Sequence, residues 1–137
     1  MNSPHSQDFR PPFPTLVVHL RNGDARTGPF VALLDTGADV TFVPLFLLER
    51  IEALEAFTAR VRSHFGDSKP AQLYVVAFEV EGVNLASTYV VADEDGDDII
   101  LGRDVLNKLP LFIDGLQLQT HLLNDTVVKR WRERLQK

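Results

Sequence analysis

The stretch "VALLDTGADVTFVP", Val31 to Pro44, runs four apolar residues straight into an Asp and returns to strand-like sequence after a short turn. A run such as "VALL" reads as a buried strand, so the chain delivers the Asp35 carboxylate to the end of an interior element. That position is costly for a lone charge and suits a carboxyl group that shares its proton with another. Asp-Thr-Gly alone could be only a turn, since Asp and Gly both favour turns and the tripeptide is short enough to occur by chance. Its surroundings carry more information. A second segment, "IILGRDVL", places Gly102 67 residues after Asp35, again behind apolar residues.

The rest of the chain limits what these two segments can belong to. Its 137 residues suit one domain with a single modest core. Hydrophobic residues at 45% and charged residues at 24% give the balance of a globular protein. The longest apolar runs, such as "PLFLL", fall well short of a membrane span, and residues 1–14 lack the apolar centre of a signal peptide. A cytoplasmic protein without membrane contact is expected. The absence of cysteine excludes disulfides, thiol nucleophiles and thiolate zinc sites. A net charge of -5 argues against generic nucleic-acid binding, which rewards a basic surface.

Residues 1–14 hold four prolines and no periodic apolar pattern, which predicts a flexible N-terminal arm. "TLVVHL" and "PFVALL" predict a first hairpin around "RNGDARTG". After the Asp35 turn, "VTFV" resumes strand character. Pro44 then opens a helix with Leu47, Leu48, Ile51 and Leu54 at helical spacing, predicted to end near Phe57. A long hairpin follows over Thr58 to Val80, then a turn at Glu81-Gly82, another strand, the acidic loop "DEDGDD" and the short run "IIL". "GRDVLNKL" predicts a short helix, "LFIDGLQLQTHLL" a closing hairpin, and residues 124–137 an amphipathic C-terminal helix.

With "LLDTGAD" and "ILGRD" in this order, residues 15–123 resemble the retropepsins, the single-domain aspartic proteases of retroviruses and their cellular relatives. The resemblance implies an all-β fold with one or two short helices, a closed β-barrel of the acid-protease type, acting as a homodimer. It implies that Asp35 is the catalytic carboxylate, that Thr36 interlocks with its twin, and that Gly37 allows the tight turn. Ala38 and Asp39 would border a peptide substrate, and Arg103 would pair with Asp39 as a partly buried brace for the active-site loop. The hairpin over residues 58–80 would be the flap, its tip at His64 to Ser68 offering Phe65 and Gly66 to substrate. Ile99 or Ile100 would line a pocket, and the acidic loop would sit beside the cleft. The chemistry needs two carboxylates sharing one proton, and one motif per chain means that the second must come from another copy.

Other features have plainer readings. His64 in a polar tip is ordinarily only solvated. "DEDGDD" has the alternating carboxylates of a calcium loop but no distal Glu at the needed spacing, so no metal or other cofactor is expected. The basic terminal helix suits packing on the barrel or a partner better than nucleic acid. The alternative to an endopeptidase is a peptide-binding or dimerisation module on the same fold, since fold does not guarantee function.

Overall fold

The computed structural model describes residues 2–62 and 66–136. The chain forms β1 (Asn2–Pro4), β2 (Thr15–Asn22), β3 (Ala25–Leu34), β4 (Phe42–Pro44), α1 (Leu45–Arg50), β5 (Leu54–Arg62) and β6 (Ser68–Val80). It continues through β7 (Val83–Asn84), β8 (Thr88–Asp93), β9 (Ile100–Leu101), α2 (Arg103–Leu106), β10 (Leu111–Asp114), β11 (Gln119–Leu122) and α3 (Asp125–Leu135).

Alternation in β2 turns Leu16, Val18 and Leu20 inward, all without solvent exposure. At the end of β3 the alternation stops: Ala32, Leu33 and Leu34 are all buried, because both faces of this segment are covered. Neighbouring strands run in the order β2, β3, β9, β4, β8, β6, and β6 pairs back onto β2. Six strands therefore close a barrel, as the resemblance implied. Leu48 of α1 and Val105 of α2 join Leu16, Leu20, Phe78 and Leu101 in its core. No described helix is long and apolar enough to cross a membrane.

Strand β6 serves two structures. Its Leu73–Val76 stretch pairs with β8 and its Ala77–Val80 stretch with β2, whereas Ser68–Gln72 pairs only with β5. That outer part of the hairpin projects beyond the barrel. It begins earlier than the sequence pattern predicts, because α1 ends at Arg50 rather than near Phe57. A Schellman-type stop explains the difference: Ala53 N–H donates to Leu48 O at 2.9 Å and Glu52 N–H to Glu49 O at 3.0 Å. Glu52 takes the left-handed position (φ 52°) where glycine is usual, so no glycine marks the helix end in the sequence. The Asn22 side chain donates to the Ile51 and Glu52 carbonyls, at 3.1 and 2.8 Å, and closes that end.

The expected flexible arm is corrected by the fold. β1 pairs with β11, which also pairs with β10, in a three-stranded sheet. Ser3 and His5 are buried, and Thr15 Oγ1 donates to Pro4 O at 2.9 Å. Polar residues fill this strand, so it carries no hydrophobic alternation to read. The closing hairpin and terminal helix occur as predicted. Asn124 caps α3 by accepting from Val127 N–H at 2.9 Å, and Trp131 meets the Phe112 ring edge-on.

The barrel seam is fastened on the outside by Arg26 of β3 and Glu79 of β6, which reach across β2 with Nε–Oε2 at 2.9 Å and Nη2–Oε1 at 3.2 Å. The bonds from Arg26 hold the Glu79 carboxyl below its ordinary pKa. A depressed carboxyl pKa stabilises the fold above the unfolded value, about 4, and that gain is lost as pH falls through the folded value. The melting temperature of wild type should therefore exceed that of Glu79→Gln near neutral pH, and the gap should shrink as pH drops below about 4.

Candidate active site

Asp35 leaves the barrel at the end of β3, where Leu33 and Leu34 pair in parallel with Ile100 and Leu101. The ladder continues one step further, with Asp35 N–H donating to Leu101 O at 2.9 Å. The chain then turns back on itself: Ala38 N–H donates to Asp35 O at 3.1 Å, and Gly37 N–H to Asp35 Oδ1 at 2.9 Å. Asp35 is thus half-buried, with its carboxylate held by its own loop.

Residues 101–104 hold the loop of residues 35–41 from beneath. Leu101 accepts from Asp35, and Arg103 N–H donates to Ala38 O at 2.8 Å. Gly102 N–H donates to Thr41 Oγ1 at 3.0 Å, while the Asp104 carboxylate accepts from Thr41 N–H at 3.2 Å and from its hydroxyl at 2.7 Å. Contact is so close that a Cβ on Gly102 would lie 2.6 Å from Val40 O. This is why the second segment needs glycine.

A cavity of about 680 Å³ opens over this loop, lined by Asp35, Gly37, Ala38, Asp39, Phe42 and Ile100 among others. Residues 60–62 of β5 also line it, so the projecting hairpin borders this cavity. A second cavity of about 430 Å³ shares Phe42, Val61 and Arg62 and extends to Asp93, Glu94 and Asp95. The acidic loop therefore lies beside the cleft. Asp93 Oδ1 accepts from the N–H groups of Asp95 and Gly96, which shapes its turn. Among the described residues, no three His, Asp or Glu side chains group to hold a metal ion.

Most residues singled out in the sequence converge here. Thr36 is exposed, and its carbonyl accepts from Arg103 Nη1 at 2.7 Å. Arg103 Nη2 also pairs with Asp39, as the motif implied. The expectation that this charge is partly buried needs correction in the single chain, where the side chains are 45% and 86% exposed. Of the two isoleucines, Ile100 lines the cavity, whereas Ile99 packs into the barrel core at 2% exposure. Strand alternation separates them. Gly66, at φ 85°, is not among the residues lining either cavity. Phe65 and His64 lie outside the described residues. Thr41 and Asp104 are the functional candidates that sequence reasoning passed over; the signal was the Asp beside Arg103 in "LGRD".

Residues 22–108 match the family described as "gag-polyprotein putative aspartyl protease". The chain belongs to this retropepsin-like family. The match takes in the Asp35 loop, the hairpin and the 101–104 segment, and it ends before β10. No curated protein matches the chain. Solved structures share its fold, three of them as follows. A retropepsin-like aspartic protease from Rickettsia conorii is 14% identical, with 89% of this chain and 88% of that one covered and a TM-score of 0.59. The EIAV protease complexed with the inhibitor HBY-793 is 22% identical, with 70% and 86% covered and a TM-score of 0.50. The retroviral protease-like domain of Ddi1 from Leishmania major is 18% identical, with 81% and 90% covered and a TM-score of 0.50.

Two substitutions separate tight packing from solvent-screened charge in this chain. Gly102→Ala forces a methyl group against the Val40 carbonyl and should cost about 1–3 kcal/mol or more. Arg103→Ala removes an exposed ion pair and should change the stability of the isolated chain by less than about 1 kcal/mol. Urea unfolding of both variants checks the contrast.

Proposed function

We propose that the chain is an aspartic endopeptidase that works as a homodimer, cleaving peptide bonds in extended or unfolded protein segments. One observation carries the reading: a loop tied down at both ends presents a single, half-buried Asp35 carboxylate at the floor of a cleft bordered by a projecting hairpin. One carboxylate cannot both take a proton from water and polarise a carbonyl. Two copies related by a two-fold axis supply the pair, which shares one proton because like charges a few ångströms apart do not both ionise.

In the proposed reaction the ionised Asp35 removes a proton from water as the oxygen attacks the peptide carbonyl carbon. The protonated Asp35 of the other copy meanwhile donates to the carbonyl oxygen. Collapse of the tetrahedral intermediate breaks the C–N bond: the first Asp35 gives its proton to the leaving amine, a hydroxyl of the intermediate returns its proton to the second Asp35 as the carbonyl re-forms, and the pair again holds one proton. The hairpin of β5 and β6 would hold the substrate in an extended form through backbone hydrogen bonds and exclude water.

Incubating concentrated protein with an unfolded protein mixture from acidic to neutral pH, with and without pepstatin, tests the proposal. Asp35→Asn should keep the fold and lower the cleavage rate at least about 100-fold. Below the dimer dissociation constant, the wild-type rate should rise with the square of protein concentration. Undiminished cleavage by Asp35→Asn, or no cleavage under any condition, would overturn the reading.

A further inference from the structure

Thr41 sits at the far end of the Asp35 loop with no solvent exposure. Its carbonyl accepts from Val91 N–H at 2.9 Å, which ties it to the barrel. Its hydroxyl faces the other way, accepting from Gly102 N–H at 3.0 Å and donating to Asp104 Oδ1 at 2.7 Å. The direction of this relay is fixed, because an N–H can only donate and the hydroxyl proton must then go to the carboxylate. Asp104 uses both oxygens: Oδ2 takes the Thr41 N–H at 3.2 Å, and Oδ1 also takes Val105 N–H at 2.9 Å. It therefore accepts from three donors, a role that an ionised carboxylate fills and an amide cannot. Asn would turn its NH2 towards an N–H on one side or the other.

We propose that Thr41 and Asp104 are positioning residues that set the register of the Asp35 loop over residues 101–104. The inference rests on the protease reading for its kinetic consequence. The Asp35 end of the loop is held by backbone pairing that many sequences would make, and its middle by the backbone N–H of Arg103. The exposed Arg103–Asp39 pair is screened by water. The inner end, tied to the barrel by Val91 N–H, is fastened to residues 101–104 by the Thr41 hydroxyl and the Asp104 carboxylate. Without them, the close approach of Val40 to Gly102 loses its side-chain clamp and the loop can shift. A displacement of about 1 Å at a reacting group is enough to cost about 100-fold in rate.

Thr41→Val, Thr41→Ser and Asp104→Asn, each followed by kinetics and by amide hydrogen exchange, test this. Thr41→Val and Asp104→Asn should lower kcat about 10- to 100-fold with KM changed less than about threefold, and Thr41→Ser should restore most of the rate. In exchange experiments, amides of residues 35–41 and 101–104 should open in the first two variants while β2 and β6 stay protected. Thr41→Ser should keep the wild-type pattern. The exchange readout needs no turnover, so a wild type that cleaves nothing overturns the protease reading and leaves this inference to be decided by the amides. Protection lost evenly over the barrel, unchanged exchange in Thr41→Val, or a Thr41→Ser variant as damaged as Thr41→Val would overturn it. If Thr41→Val does not fold, Asp104→Asn against Thr41→Ser makes the same comparison.

Discussion

Two pairs of residues, Leu33 with Ile100 and Leu34 with Leu101, form the junction on which the rest of the site depends. They are parallel neighbours, and parallel strands cannot be joined by a tight turn, so the intervening chain must cross over. That crossover contains α1, the projecting hairpin and β8, which supply one side of the cavity over the loop and much of the barrel wall. The pairing also sets a carboxylate at the end of one strand against a glycine at the end of the other. With no Cβ on Gly102, the loop from Asp35 to Thr41 can lie directly on the second segment.

This arrangement settles how a carboxylate can be carried to the end of a buried strand. The apolar residues before Asp35 go into the core, while Asp35 itself stops at the surface of the barrel and stays half-buried. Its loop satisfies its backbone groups through residues 101–104, so the desolvation cost falls mainly on atoms that have partners. The terminal strands are arranged with similar economy: β11 has β1 on one side and β10 on the other, which leaves the outer edges of that sheet to two short strands.

Features governed by local chemistry were legible in the sequence. The Asp35 turn, the glycine of the second segment, the hairpins and the amphipathic terminal helix all have residue types that favour them. The end of α1 was not legible, because Glu52 occupies a left-handed position without the glycine that normally announces it, and the apolar spacing runs on to Leu54. The strand at Asn2–Pro4 was hidden for another reason: Ser3 is buried beside Thr120, in a polar pairing that leaves no alternation to detect. In the site, strand periodicity was available but insufficient to choose between Ile99 and Ile100, since the choice depends on which face the barrel closes over. Asp104 was overshadowed by its neighbour Arg103, whose pairing with Asp39 is part of the family pattern.

Those adjacent residues show how folding and assembly divide the work. Asp104 turns inward and binds a fully buried threonine, so its bonds are little weakened by solvent and are present in the single chain. Arg103 turns outward to a pair that water screens, which contributes little there. In the proposed dimer the second pair would lie beside the approaching loop of the other copy, where exclusion of water raises its weight and leaves each charge dependent on the other. The loop is shaped within the single chain, and in the proposed dimer the exposed ion pair would become influential only on assembly. In that dimer a carboxylate meeting its twin would gain from this order, because its geometry would already be fixed when the second chain docks.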